Sequence, residues 1–170
     1  MLSKDSLRYQ VIAHTIDQFM TIDLTGVGSI QNLYAATLRR QPGPMCMTAA
    51  ELVVETLRKK GGPALIATGF PEGGGVPETD GPIGAALLAR ALFIAFNVET
   101  VIVTDEDWKD MQVATCRGAG LAPMPFPQNG IIEPIAYLRP VYIRTVPKDW
   151  DECHRISDEL LEKTRPRILF

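Results

Sequence analysis

A short apolar run, a long acidic and glycine-rich loop and a long apolar helix follow one another near the middle of this chain. The run is Ala64-Leu65-Ile66-Ala67-Thr68, the loop starts at Gly69, and helix-forming sequence begins at Pro82. Most strand-to-helix loops have about 2–6 residues, so this loop is too long to be a plain connection. Because open α/β sheets bind ligands at the carboxyl ends of their strands, we predict that the loop lies over a ligand site.

Apolar periodicity predicts the same alternation of strand and helix through the rest of the chain. The fold class is therefore α/β, with a doubly wound, mostly parallel sheet, helices on both of its faces and an N-terminal helical segment. The segment 120–140 is rich in proline and is expected to be irregular. Strands are predicted over 64–69, 100–104, 141–145 and 165–170, and helices over 5–20, 30–40, 49–60, 82–96, 105–118 and from Asp149 onward.

Two capping-box patterns predict where helices begin. Thr48 is followed three residues later by Glu51, and Asp149 is followed in the same way by Glu152. In such a box, the first side chain accepts a hydrogen bond from the backbone N–H three residues later. We therefore expect helices directly after Thr48 and Asp149. The helix at 82–96 is apolar nearly all round, which predicts that both of its sides are covered.

The length of 170 residues suits one domain. We predict a single α/β domain over 1–170, in which 1–62 is the helical part and 63–170 the strand–helix alternation. The sequence stops inside the last predicted strand, whereas a parallel strand normally leads into another helix. We therefore expect a domain truncated after its fourth strand, completed by a further C-terminal segment or by another copy in a homo-oligomer.

Charge and composition narrow the classes of partner. The net charge is −3 and no basic stripe is present, which argues against a nucleic-acid partner. The most apolar segment, 83–96, contains Arg90 and is too short to span a membrane. Cys46, Cys116 and Cys153 form neither an even disulfide framework nor a metal-type spacing. They indicate a reducing compartment, so we expect the cytoplasm, or the mitochondrial matrix if the source is eukaryotic.

The glycines of the loop fit no standard nucleotide motif. A dinucleotide fingerprint that starts at Gly73 would need glycine at position 78, where Glu78 stands. No Gly-Lys-Ser/Thr follows a glycine run, so a P-loop is absent from the sequence. Gly73-Gly74-Gly75 is compatible with a mobile lid over a small substrate and equally with a flexible surface loop.

Glu78, Thr79 and Asp80 directly precede the predicted helix. Capping explains one acidic residue, with either Asp80 or Gly81 as the cap, and leaves Glu78 unexplained. The other interpretation is a ligand-facing pair that binds an ammonium group or a metal, or acts as a base. Backbone N–H groups between Gly81 and Gly84 are candidates for binding an anion, because a helix start favours negative charge.

Three further polar residues end the next two predicted strands. Thr104 and Asp105 follow one strand, and Asp105 is suited both to capping the next helix and to facing the cleft. Arg144 ends the following strand and can hold a carboxylate with two parallel hydrogen bonds. The alternation along 141–144 does not decide which face of the sheet Arg144 takes, so a solvated arginine is the alternative.

The combination of Thr68-Gly69-Phe70, Glu78-Thr79-Asp80-Gly81-Pro82-Ile83-Gly84-Ala85 and Val103-Thr104-Asp105 resembles the C-terminal domain family of D-glutamate cyclase. The similarity extends from about residue 30 onward. It implies a doubly wound α/β fold and a lyase, of the hydro-lyase class, that converts D-glutamate to 5-oxo-D-proline with loss of water. The predicted partner is thus a small amino acid. No metal ligand is predicted, and a divalent cofactor held by Glu78 and Asp80 remains open.

The residue patterns and the resemblance together define the candidate site. An alternative function is a non-catalytic α/β module that binds a small anion or a nucleotide, and a third is a structural domain that assembles through its proline-rich segment. The catalytic candidates are Glu78 and Asp80, and the candidates for substrate binding are Thr68, Gly69, Phe70, Thr79, Gly81, Gly84, Thr104, Asp105 and Arg144.

Overall fold

The computed structural model describes residues 7–41, 43–59, 61–69, 78–132, 135 and 137–170. The chain divides into two compact units, Met1–Thr56 and Leu57–Phe170. The first unit is helical and the second is the α/β part, so the change in sequence character predicted near residue 62 lies close to the boundary. Among the described residues, no helix has both the length and the apolar content needed to cross a bilayer.

The helical unit is organised around a buried carboxylate. It contains α1 (Leu7–Met20), α2 (Ser29–Arg40) and most of α3 (Met45–Leu57). Asp17 of α1 is 3% exposed and accepts hydrogen bonds from the hydroxyl of Tyr34 and from the backbone N–H groups of Met45 and Cys46. One side chain therefore joins all three helices and caps the start of α3.

The capping-box prediction at Thr48 is wrong. The helix begins four residues before the predicted start, at Met45, because the carboxylate of Asp17 satisfies its first N–H groups from a different helix. The Thr48 hydroxyl instead donates to the carbonyl of Pro44 at 3.5 Å. The matching prediction at Asp149 is confirmed, since its side chain accepts a hydrogen bond from the N–H of Glu152 at 2.9 Å.

The second unit is built on a five-stranded sheet in which every pairing is parallel, which confirms the predicted α/β class. The spatial order is β3-β4-β2-β1-β5. Val101 of β2 lies beside Leu65 of β1 on one side and Tyr142 of β4 on the other. The strands are β1 (Ala64–Ala67), β2 (Thr100–Asp105), β3 (Ala122–Pro125), β4 (Pro140–Val146) and β5 (Ile168–Leu169).

Strand β3 was not predicted, because its sequence is Ala-Pro-Met-Pro. The two prolines are tolerated at the sheet edge, where alternate N–H groups have no neighbouring strand. The N–H of Ala122 donates to Arg139, and that of Phe126 donates to Ile143, so the even-numbered residues face β4. Pro123 and Pro125 alternate with them and lose no ladder bond.

Helices cover both faces of the sheet. The connections are α4 (Asp80–Phe96), a 3₁₀ turn (Glu106–Trp108) that leads into α5 (Lys109–Gly118), and α6 (Trp150–Thr164). Helices α4 and α5 pack on the face that contains Ile66, Ile102 and Ile143. Helix α6 packs on the opposite face, where Leu160 meets Leu65, Val101 and Tyr142.

The apolar helix α4 is covered on one side by its own unit. Ala85, Ala86, Ala89 and Leu92 are buried against the sheet. Its outer side, formed by Ile83, Leu87 and Ile94, is not covered within this unit. The prediction that both sides of the helix are covered is therefore not met inside the α/β part.

Candidate functional site at the carboxyl rim of the sheet

The carboxyl end of β1 meets the first turn of α4. The N–H of Thr68 donates to the carbonyl of Val103 at 3.0 Å, which holds the chain against β2 beyond the end of the strand. A Cβ atom added to Gly81 would lie 2.7 Å from the Thr68 hydroxyl oxygen. That separation is too short for a real contact, so the absence of a side chain at Gly81 lets the helix start close over the Thr68 hydroxyl.

The second tightly packed position is Gly69. Its φ of +137° is rare for residues with a side chain. A Cβ at this position would lie 3.2 Å from Oδ2 of Asp105 and 3.2 Å from Cζ3 of Trp108. The chain directly after β1 therefore lies against the end of β2, with the Asp105 carboxylate and the Trp108 ring beside it. Thr68 and Gly69 are consecutive residues. Thr68 lies against the first turn of α4, and Gly69 lies against Asp105 and Trp108.

The first turn of α4 offers backbone donors. The N-cap is Thr79, whose side chain makes no capping hydrogen bond. The first N–H groups of a helix have no partner within it, and Pro82 has no N–H at all. The donors available to a ligand are therefore at Asp80 and Gly81, at the positive end of the helix dipole. Gly84 lies one turn further along, where its N–H belongs to the helix.

The acidic residues before α4 differ in exposure. Glu78 is half-buried, whereas Thr79 and Asp80 are exposed. Thr79 is the cap and both Asp80 and Gly81 are helical, so the two predicted caps, Asp80 and Gly81, are both wrong. Asp105 directly precedes the 3₁₀ turn but makes no capping hydrogen bond either. Within the described ranges, none of these three carboxylates makes a hydrogen bond to another residue. Phe70 and Gly73 to Gly75 lie outside the described residues.

Two further predicted residues lie at the ends of β2 and β4. Thr104 is buried, 2% exposed, and is paired in register with Thr145. Arg144 is half-buried and follows Tyr142 on the α6 face of the sheet. There it lines a small hollow of about 30 Å³ with Phe126, Glu159 and Lys163. The structure therefore brings Thr68, Gly69, Gly81 and Asp105 together, whereas Arg144 lies in the hollow beside α6.

Charges around that hollow are paired with one another. Lys163, by its hydrogen bond and its charge, and then the charges of Arg155 and Arg144 hold the pKa of Glu159 below its ordinary value, against the effect of burial. Lys163 also donates to the carbonyl of Gln128 at 3.3 Å. Glu159 and its partners thus fasten α6 to the segment after β3.

The connections that follow β2 and β4 go to opposite faces of the sheet. The chain leaves β2 toward α5 on one face and leaves β4 toward α6 on the other, which creates a crevice of the kind that binds ligands in open α/β sheets. An exposed ion pair of 2.6 Å between Lys148 and Asp107 joins the two loops. Asp107, by its hydrogen bond and its charge, and then Asp105, by its charge, raise the pKa of Lys148. The candidate site lies beside this crevice, at the β1 and β2 ends.

Sequence reasoning missed two residues of this region. Trp108 is 7% exposed and forms the wall beside Gly69, and Gln112 is fully buried in α5. A large aromatic residue soon after a strand was the available signal for Trp108. A glutamine in a helix carries no comparable signal. Within the part of the chain that the structure describes, no group of three or more His, Cys, Asp or Glu is placed to hold a metal ion.

The parallel sheet, helices on both faces and a polar cluster at the strand ends define a doubly wound α/β domain with a candidate small-ligand site. The chain belongs to the D-glutamate cyclase-like, C-terminal family, whose sequence model matches residues 16–167. Comparison with curated proteins gives no significant match, and comparison with solved structures gives none.

Proposed function

We propose that this chain takes part in converting D-glutamate to 5-oxo-D-proline with loss of water, a hydro-lyase reaction, and that the β1–α4 rim is where the substrate binds. The observation that carries the proposal is the pair of close contacts at Thr68 and Gly69. These consecutive residues connect a helix start, which favours anions, with the Asp105 carboxylate, which makes no hydrogen bond within the described ranges and favours cations. Membership of the D-glutamate cyclase-like family supports this choice of reaction.

The rim is complementary to an amino acid zwitterion. The α-carboxylate is expected to bind the N–H groups of Asp80 and Gly81 together with the Thr68 hydroxyl. The α-ammonium group is expected to bind Asp105, whose carboxylate is half-buried and makes no hydrogen bond within the described ranges. Charge-assisted hydrogen bonds of these two kinds are about twice as strong as neutral ones, so they can orient a small substrate.

The reaction itself is a ring closure. The α-nitrogen attacks the carbon of the side-chain carboxyl group, a C–N bond forms, and one carboxyl oxygen leaves as water. The ammonium group must first lose a proton, because only the neutral amine is a nucleophile. A second proton leaves the nitrogen as the lactam forms, and the departing oxygen takes up both protons. A second carboxyl group, in addition to Asp105, can carry them from the nitrogen to the departing oxygen.

Glu78 is our first candidate for this proton transfer and Asp80 the second. Glu78 is half-buried, and partial burial shields a carboxylate from bulk water, whereas Asp80 is exposed. Donors are also needed for the negative oxygen of the tetrahedral intermediate, and preorganised donors commonly give the largest single contribution to catalysis. The N–H groups of the first turn of α4 are the alternative candidates for this role, in place of binding the α-carboxylate.

The direct test is chromatographic measurement of 5-oxo-D-proline formed from D-glutamate by the 170-residue chain. The assay is run with EDTA and with added Mg²⁺, which tests the open question of a divalent cofactor. We expect Glu78→Gln to lower kcat about 100-fold, in the range for loss of a general acid–base. We expect Asp105→Asn to raise KM about tenfold, because it weakens a charge-assisted hydrogen bond to the ammonium group.

Asp107→Asn is the matched control. Asp107 lies two residues after Asp105, is exposed and is paired with Lys148, so its loss should leave turnover unchanged. Absence of lactam formation by the wild-type chain, with and without Mg²⁺, would contradict the proposal. A thermal shift with nucleotides, and none with D-glutamate or 5-oxoproline, would favour the non-catalytic binding module instead.

A further inference from the structure

Gln112 is an amide buried in the core of the α/β unit. It is 0% exposed and lies on α5, one turn before the buried Cys116. Its Nε2 donates to the carbonyl of Pro82 at 3.3 Å and approaches the sulfur of Cys116 at 3.4 Å. Its Oε1 is buried and has no hydrogen-bond partner among the described residues. The donor of the Gln112 amide group thus has partners, whereas its acceptor has none among the described residues.

An amide in this position costs stability. A buried acceptor without a donor loses its hydrogen bonds to water and gains nothing in return, whereas an apolar side chain of the same shape has no such cost. Glutamine at position 112 is therefore better explained by the hydrogen bond that its Nε2 donates than by its packing. That donor reaches the first turn of α4, one residue after Gly81 and its close contact with Thr68.

We propose that Gln112 is a positioning residue that holds the first turn of α4 over Thr68. Its hydrogen bond joins two helices that begin at the candidate site, since α4 carries the backbone donors and α5 follows Asp105 and Trp108. The side chain of Thr79 does not cap α4, so the contact from α5 supplies part of the missing restraint. This inference rests on the proposed function only in assigning the first turn to the substrate carboxylate.

The test compares Gln112→Met with Thr100→Val. Methionine keeps the unbranched shape of glutamine without its polar atoms. Thr100 is the matched control, because its buried hydroxyl also has no partner in the described part of the chain but lies at the opposite, amino end of β2. We expect neither variant to lower the melting temperature. Hydrogen–deuterium exchange is then measured over residues 80–86 in the 170-residue chain.

Gln112→Met is expected to raise exchange in residues 80–86 by about threefold or more, because local opening of the first turn becomes easier. Thr100→Val should leave that segment unchanged. In the lactam assay, Gln112→Met should raise KM for D-glutamate about tenfold with little change in kcat, the pattern for loss of uniform substrate binding.

Unchanged exchange at 80–86 in Gln112→Met would overturn the inference, whatever the activity. A loss of protection spread over the whole sheet would overturn it as well, because it would show a general structural role. If the wild-type chain forms no lactam, the proposed function fails, and the exchange result still decides the role of Gln112.

Discussion

Asp17 of the helical unit and Asp105 of the sheet rim use the same chemical group in opposite ways. Asp17 is almost completely buried and receives hydrogen bonds from Tyr34, Met45 and Cys46. Asp105 is half-buried, lies against Gly69 and Trp108, and makes no hydrogen bond within the described ranges. The first carboxylate is fully used by the fold, whereas the second keeps its acceptor capacity for a ligand.

The pKa of Asp17 reflects this use. Burial alone would raise it, but hydrogen bonds from Cys46, Met45 and Tyr34 more than offset burial and hold the pKa below its ordinary value. A carboxylate that accepts several hydrogen bonds is stabilised in its charged form. The number of hydrogen bonds that an acid accepts therefore distinguishes a structural acid from a candidate for binding.

The largest expected effect comes from truncating the two acids. Asp17→Ala should lower the free energy of unfolding by about 3 kcal/mol, because three donors lose a charged acceptor. Asp105→Ala should change it by less than about 0.5 kcal/mol, as expected for a residue that makes no hydrogen bond and only a charge interaction with the exposed Lys148. Urea unfolding followed by circular dichroism measures both values. Equal losses of unfolding free energy in the two variants would contradict the distinction between a structural Asp17 and a ligand-binding Asp105.

The next effect tests the close packing at the rim. Gly69→Ala should cost about 2 kcal/mol of stability, because alanine is strained at positive φ and its Cβ would crowd Asp105 and Trp108. The same variant should lower lactam formation, since both neighbours must move. Gly118→Ala is the control, because its Cβ meets no atom within 4 Å and alanine favours the helix. A neutral Gly69→Ala would show that the rim is loosely packed.

Much of the fold follows from local sequence patterns. Apolar periodicity located each helix and four strands, because period 3.6 and period 2 are set by residues close together in the chain. It failed where the determining group is distant. The start of α3 depends on Asp17, which lies 28 residues before Met45. Strand β3 depends on its place at the sheet edge, which makes its prolines acceptable.

The candidate site was predictable to a similar extent. The unusual loop and its position after β1 indicated the rim, and Thr68, Gly69 and Gly81 lie there together. The face taken by Arg144 was not predictable, because alternation fixes which residues share a face but not which helix covers that face. Packing of Leu160 of α6 against Tyr142 settles it. Gln112 was missed because burial of a single amide depends on packing between helices.

A smaller effect is expected on the pH dependence of stability, which depends on the buried Asp17. The pKa of Asp17 is lowered by folding, so its stabilising contribution is complete above the unfolded carboxyl pKa of about 3.9 and is lost as the pH falls below it. The stability of the wild-type chain should therefore decline more steeply than that of Asp17→Asn between pH 5 and pH 3. Urea titrations at several pH values measure the two slopes, and parallel slopes would contradict the assignment.

The smallest effect concerns the reactivity of a thiol and not stability. Burial, followed by the hydrogen bond and the charge of Asp17, raises the pKa of Cys46 to about 11. Because the thiolate is the reactive form, Cys46 should react slowly with iodoacetamide at pH 8. Asp17→Asn removes the charge but not the burial, so it should accelerate the reaction only about threefold.

Mass spectrometry of the labelled peptides measures this rate, with Cys153 of α6 as an internal reference whose rate should not change. An unchanged rate at Cys46 would mean that burial alone suppresses the thiol and that the charge of Asp17 is already neutralised by its backbone donors.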